Sequence, residues 1–287
     1  MTLGYVIIAA VAAAAAFVFA VGLVLVGLAA KTFTRRMRQL MLLGMAVLML
    51  FMYIFVALQK GHYTNFYGFQ VFWIYYAFLV AFFVFYGAFL VMSLTRDIPS
   101  TLIGAAVLGV AGVFLLVGSR SSGSGIWVSF IFSGTCMLAY ELWLLMTPGR
   151  YYTVYSSELE ASRVEFIDNT TPGQKWVVWL SGLLPMLWLM AYGLDRTWAG
   201  SWSPSAVNGY AQFWAAFVYA ALNLGMLGVG TLIYVFGINS EPEPMLVPGV
   251  AGATQLMSDT IGKPVTGGYA AVPPVQPAGL VGDELVL

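Results

Sequence analysis

The chain has 287 residues, 61% of them hydrophobic and only 8% charged, with a formal net charge of zero. Soluble domains carry about 25% charged residues, so this is the composition of an integral membrane protein, and the neutral balance argues against a nucleic-acid partner. A single cysteine, Cys136, and a single histidine, His62, exclude an internal disulfide framework and a multi-cysteine metal centre; no carboxylate pair shares an apolar run, so no metal site is expected.

Seven apolar runs follow one another, at about 4–30, 40–58, 69–94, 101–117, 126–146, 176–194 and 211–237. A bilayer crossing takes roughly 20 apolar residues for a hydrocarbon core of about 30 Å, so each reads as a membrane helix and the expected fold is an all-α seven-helix bundle over residues 1–238. No basic residue precedes the first run, whereas Lys31, Arg35, Arg36 and Arg38 follow it. That is the reverse of a cleavable signal's charge order, so the run is expected to stay. After the third span Pro99 and Ser100 read as a stop and a cap. The fourth carries Gly104, Ala105, Gly109 and Gly112, small residues suited to close helix packing within the bundle or between copies. The Ser/Gly stretch Ser119 to Gly125 reads as a loop, and the fifth span holds one charge, Glu141.

Between Thr147 and Lys175 the hydropathy collapses. The charges of SELEASRVE there suit a short solvated helix, with a plain connector as the alternative. The sixth span contains Pro185, which a membrane helix tolerates because neighbours can satisfy the freed carbonyl. Residues 239–287, rich in Pro, Gly and Val, read as a disordered tail. Segments after spans one, three and five hold four, one and three Lys/Arg, against one in each of the other three connections. By the positive-inside rule the N-terminus is expected outside and the C-terminus in the cytoplasm. The sequon Asn169, Thr170, Thr171 then falls on the cytoplasmic side, where it stays unglycosylated.

Within this frame the local sequences resemble the microbial rhodopsins across all seven spans. The sixth, WVVWLSGLLPMLWL, is similar to the family's pattern in Pro185 and Trp188; Met52 and Tyr53 match a Met-Tyr pair in the second, Trp73, Tyr76 and Ala77 the aromatic entry of the third, and Ser133 and Met137 pocket-lining positions of the fifth. The resemblance implies a retinal pocket, here bordered by Tyr53, Tyr75, Phe78, Phe82, Ser133, Met137, Trp188, Tyr219 and Asn223. It also implies a lysine in the seventh span, where Asn223 stands. A carboxamide nitrogen, its lone pair delocalised into the carbonyl, does not condense with an aldehyde, so no covalent retinal is expected. By the same resemblance Phe78 and Tyr219 replace the two counterion carboxylates, Tyr75 the arginine and Phe89 the proton donor. Ser181 stands where the family has a ring. These losses agree with one another, since a buried carboxylate without its cation costs several kcal/mol.

Each polar feature also has a structural reading. Asn223 can hold a noncovalent ligand, but buried amides in membrane helices more often bond between helices. Tyr75, Phe78 and Phe82 share a face of the third span and are expected to fill the retinal volume rather than cage a ligand. Glu141 is expected to snorkel toward headgroups or pair with Arg150, with a proton relay as the minority reading. Cys136 reads as packing and His62 as a solvated loop residue. The resulting expectation is a rhodopsin-like membrane protein with no catalytic residues, acting through the lipid bilayer and another membrane protein or a second copy of itself. The alternatives are a noncovalent retinal or carotenoid binder, and a passive channel or carrier lined by Asn223, Tyr219 and Ser133. No nucleophile, base and orienting group recur together in any span, so an enzyme is not expected.

Overall fold

The computed structural model describes residues 3–28, 33–64, 70–94, 98–121, 123–146, 151–154, 163–166, 172–193 and 210–237. Seven helices run in chain order: α1 (Leu3–Gly27), α2 (Phe33–Ala57), α3 (Trp73–Leu94), α4 (Ile98–Arg120), α5 (Ser124–Met146), α6 (Pro172–Gly193) and α7 (Tyr210–Gly237). Two short hairpins interrupt them, β1 (His62–Thr64) with β2 (Gln70–Phe72), and β3 (Tyr151–Val154) with β4 (Arg163–Phe166). All seven helices are long and apolar enough to cross a membrane. The protein is an integral, multi-pass membrane protein.

Each helix packs on its neighbour in sequence and α7 returns to α1, which closes a ring. Helix α3 also reaches α6 and α7, so it is the inner member, and from Tyr86 to Leu94 every one of its residues is buried. Lipid-facing positions carry side chains such as Phe17, Leu102, Ile131 and Leu187. Little hydrophobic force drives helices together inside a bilayer, so close packing has to do it. Between α3 and α4 glycine permits that closeness. A Cβ at Gly87 would lie 2.7 Å from the Gly104 carbonyl oxygen, one at Gly109 2.7 Å from Val84, and one at Gly112 3.0 Å from the Val80 Cα. The small-residue face of the fourth span is thus consumed inside the bundle, against α3, and is not left for a second copy.

Several boundaries differ from the sequence reading, each for a local reason. The third helix begins at Trp73 rather than 69, because Gln70–Phe72 pair antiparallel with His62–Thr64; hydropathy runs through that junction unchanged and gives no mark. Helix α2 begins at Phe33, seven residues before its apolar stretch, since arginines are good helix formers and hydropathy registers only the portion in lipid. Helix α4 spans 98–120, so Pro99 lies in its first turn, where a missing N–H is no loss, and Ser100 is inside the helix rather than capping it. The expected loop at 119–125 shrinks because Ser119 and Ser121 turn their hydroxyls back onto the Leu116 and Val117 carbonyls at 2.6 and 2.9 Å.

The expected helix in SELEASRVE is not formed at its C-terminal end. Arg163–Phe166 is a strand, registered from Val154↔Arg163 to Tyr151↔Phe166, as the aromatic and β-branched residues of both segments favour. The sequon at Asn169, Arg150 and the tail from residue 239 lie outside the described residues.

Helix α2 closes with a paired motif in which Lys60 N–H reaches the Phe55 carbonyl and Gln59 N–H the Val56 carbonyl, at 2.9 and 3.0 Å. Gln59 takes the left-handed conformation, φ 54°, that usually falls to glycine there. His62 follows, exposed, donating from Nδ1 to the Gln59 carbonyl at 2.8 Å. It opens strand β1 opposite Phe72, so it is exposed as expected but sits in a strand and not in a loop.

Candidate functional site

Helix α7 carries no charge, and Asn223, at its middle, is wholly buried. An amide at that depth has no bulk water to turn to, so its bonds must come from other helices. It finds them in α2 and α3: Nδ2 donates to the Tyr53 hydroxyl at 3.1 Å and to the Tyr75 hydroxyl at 2.7 Å. The two tyrosine rings meet edge-on at 5.9 Å. Oδ1 is buried and has no hydrogen-bond partner among the described residues. Reversing the amide would exchange the roles of oxygen and nitrogen and still leave one end over, because both hydroxyls address the same end.

Beside this polar knot stands an aromatic stack centred on Trp188 of α6, also wholly buried. Tyr219 of α7 stacks on it at 4.7 Å and 28°, Tyr75 at 6.3 Å and 14°, and Tyr192 at 6.1 Å and 17°. Tyr76 and Phe83 present their edges at 6.1 and 5.9 Å. Offset and edge-on pairs of this kind are each worth about 0.5–1.5 kcal/mol beyond the area they bury. Rings from α3, α6 and α7 therefore meet one another directly where a flat ligand would otherwise be sandwiched.

Of the nine residues expected to line a pocket, the structure brings Tyr53, Tyr75, Trp188, Tyr219 and Asn223 together. Phe82 and Met137 are buried in the apolar core. Phe78 departs from the expected face and stacks on Phe55 of α2 at 5.7 Å, only partly buried. Ser133 spends its hydroxyl on the Ala111 carbonyl of α4, 3.1 Å away, and so ties α5 to α4 instead of extending a polar path. Tyr76, Phe83 and Tyr192 belong to the stack and were missed. Helical spacing held the signal: 76 and 83 are seven apart, and 192 is one turn beyond 188.

Pro185 lies one turn before Trp188. A proline cannot donate to the carbonyl four residues back, which here is Ser181. The Tyr86 hydroxyl of α3 donates to that carbonyl at 2.7 Å, so the expectation of a satisfying neighbour is met by a specific side chain. Replacing Tyr86 by Phe is expected to cost about 1–3 kcal/mol, the penalty of a buried unpaired carbonyl. Unfolding of the purified protein in mixed micelles checks it, and Pro185→Ala, which restores the N–H, is expected to shrink the loss.

No family model matches the sequence, and neither does any curated protein. Solved structures do match. A cyanorhodopsin from the cyanobacterium Tolypothrix aligns over 82% of this chain and 94% of its own with TM-score 0.62 and 14% identity. The light-driven proton pump rhodopsin of Coccomyxa subellipsoidea aligns over 82% and 97%, at TM-score 0.63 and 14% identity. Xanthorhodopsin, a light-driven ion pump with a dual chromophore, aligns over 80% and 90%, at TM-score 0.57 and 13% identity. The fold is that of the microbial rhodopsins.

Within the rhodopsin fold the polar knot and the stack occupy the interior between α2, α3, α6 and α7, the region that the resemblance assigned to the chromophore.

Proposed function

We propose that this is a rhodopsin-fold membrane protein that binds no retinal covalently and does not pump, and that works instead as an interaction or regulatory partner of another membrane protein. The observation that carries this reading is the bonding of Asn223 to Tyr53 and Tyr75 beside the Trp188 stack. An amide stands mid-helix, it is used to join three helices, and aromatic rings fill the interior next to it. A polar knot of this kind specifies how α2, α3 and α7 sit together; interhelical bonds average about 0.6 kcal/mol in one measured membrane protein, so its value is in register more than in strength. Passive conduction is disfavoured by Ser133, whose hydroxyl is turned to α4 and away from Asn223.

The leftover end of the Asn223 amide favours one second reading, a noncovalent polyene. A ligand with a hydroxyl end group would pair with it, whereas a ring-filled interior resists entry. The deciding experiment is the absorbance of the purified protein after incubation with all-trans retinal, before and after borohydride, followed by crosslinking in the native membrane. The expected result is no visible band and a recovered protein partner. A band fixed by borohydride overturns the reading; a band that washes out supports the noncovalent pigment.

A further inference from the structure

Glu141 is the only acidic residue in any of the seven helices. It lies on α5, 5% exposed, and does not snorkel. Among the described residues neither carboxyl oxygen has a hydrogen-bond partner, though both are buried, and no basic side chain forms an ion pair with them. The place is shaped for the group. A Cβ at Gly182 of α6 would run into Oε2, so α6 presents a glycine where any side chain would displace the carboxyl. From α3 the Tyr86 hydroxyl is within electrostatic reach, and on α5 itself so is that of Tyr140. Among the described residues α6 adds no titratable group there. Both hydroxyls have their hydrogens committed elsewhere, Tyr86 to the Ser181 carbonyl and Tyr140 to the Gly87 carbonyl at 3.0 Å. Their oxygens are left as acceptors.

A carboxylate accepts only, and here no donor among the described residues reaches either oxygen, in a medium that does not solvate charge. A carboxylic acid carries the one donor the surroundings lack. A metal ion is a poorer complement, because hard cations gather six or more oxygens and the described residues hold no group of three or more His, Cys, Asp or Glu. From these contacts we infer that Glu141 is a proton-binding site, which takes one proton from the aqueous phase to form a neutral carboxylic acid between α3, α5 and α6. Access is short, since Met146 at the helix end is five positions on from Glu141, about 7.5 Å at 1.5 Å per residue.

Infrared spectroscopy of the full-length protein in lipid tests this, with dicyclohexylcarbodiimide labelling as the second readout, because that reagent adds to protonated carboxyls in apolar surroundings. At neutral pH the expected result is a carboxylic-acid carbonyl band that shifts in deuterium oxide, disappears in Glu141→Gln and returns in Glu141→Asp. The carbodiimide adduct is expected to map to the peptide holding Glu141 and to be lost in Glu141→Gln. A wild-type protein without the band, or one whose band persists in Glu141→Gln, overturns the proposal, and so does a band indifferent to deuterium oxide. Should Glu141→Gln fail to fold, the wild-type adduct position and the Glu141→Asp band decide.

Discussion

Replacing Trp188 by Ala is expected to destabilise the protein by about 3–5 kcal/mol, the range for truncating a large buried aromatic residue. The indole touches five rings from α3, α6 and α7, so its loss opens a void at the point where those helices converge. A membrane bundle has little means of collapsing onto such a void, because the helices are held apart by their other contacts. Unfolding by sodium dodecyl sulfate in mixed micelles measures the loss, and Trp188→Phe, which keeps a ring in the stack, is expected to recover most of it. A Trp188→Ala protein within about 1 kcal/mol of wild type would mean that the stack is incidental to stability.

Asn223→Lys is expected to yield no pigment with retinal and to lower stability by about 2.5–3.5 kcal/mol, the insertion cost of a lysine at the centre of a membrane helix. Restoring the amine does not restore its setting. The ammonium would face the Tyr53 and Tyr75 hydroxyls, with Tyr219 and Phe78 where the resemblance places carboxylates. Absorbance after incubation with retinal and trapping by borohydride read the outcome. A stable visible pigment from this single change would show that the interior accommodates the polyene after all, and that only the attachment point is lacking.

Much of this was legible in the sequence and some was not, for identifiable reasons. Seven apolar runs, one of them holding a single charge, separated by charged connections leave little choice of architecture, because an unpaired backbone cannot lie in lipid. The uncharged α7 with a single mid-run amide likewise pointed to Asn223 before its partners were known. Hydropathy is blind to what occurs at constant polarity. It could not see that Gln70–Phe72 pairs as a strand just before Trp73, or that α2 extends through three arginines. Nor could spacing alone tell that Phe78 would lean on Phe55 while Phe83 joined Trp188. Those outcomes depend on which neighbour lies opposite, a fact of tertiary packing that a helical wheel does not contain. Glu141 is buried where a reach to the headgroups was expected, because the room made by Gly182 is a property of another helix; its expected partner Arg150 lies outside the described residues.

The bond from Tyr86 to the Ser181 carbonyl also governs how load passes through the molecule. A proline leaves its helix one rung short, and an isolated helix would yield there first. Here the replacement rung is anchored in α3, the inner member of the ring, so tension along α6 is handed to the core at Ser181 instead of concentrating at a weak joint. Drawn out of a bilayer by its C-terminus, the chain would release α7 first. The next resistance would then come at the latch between α6 and α3.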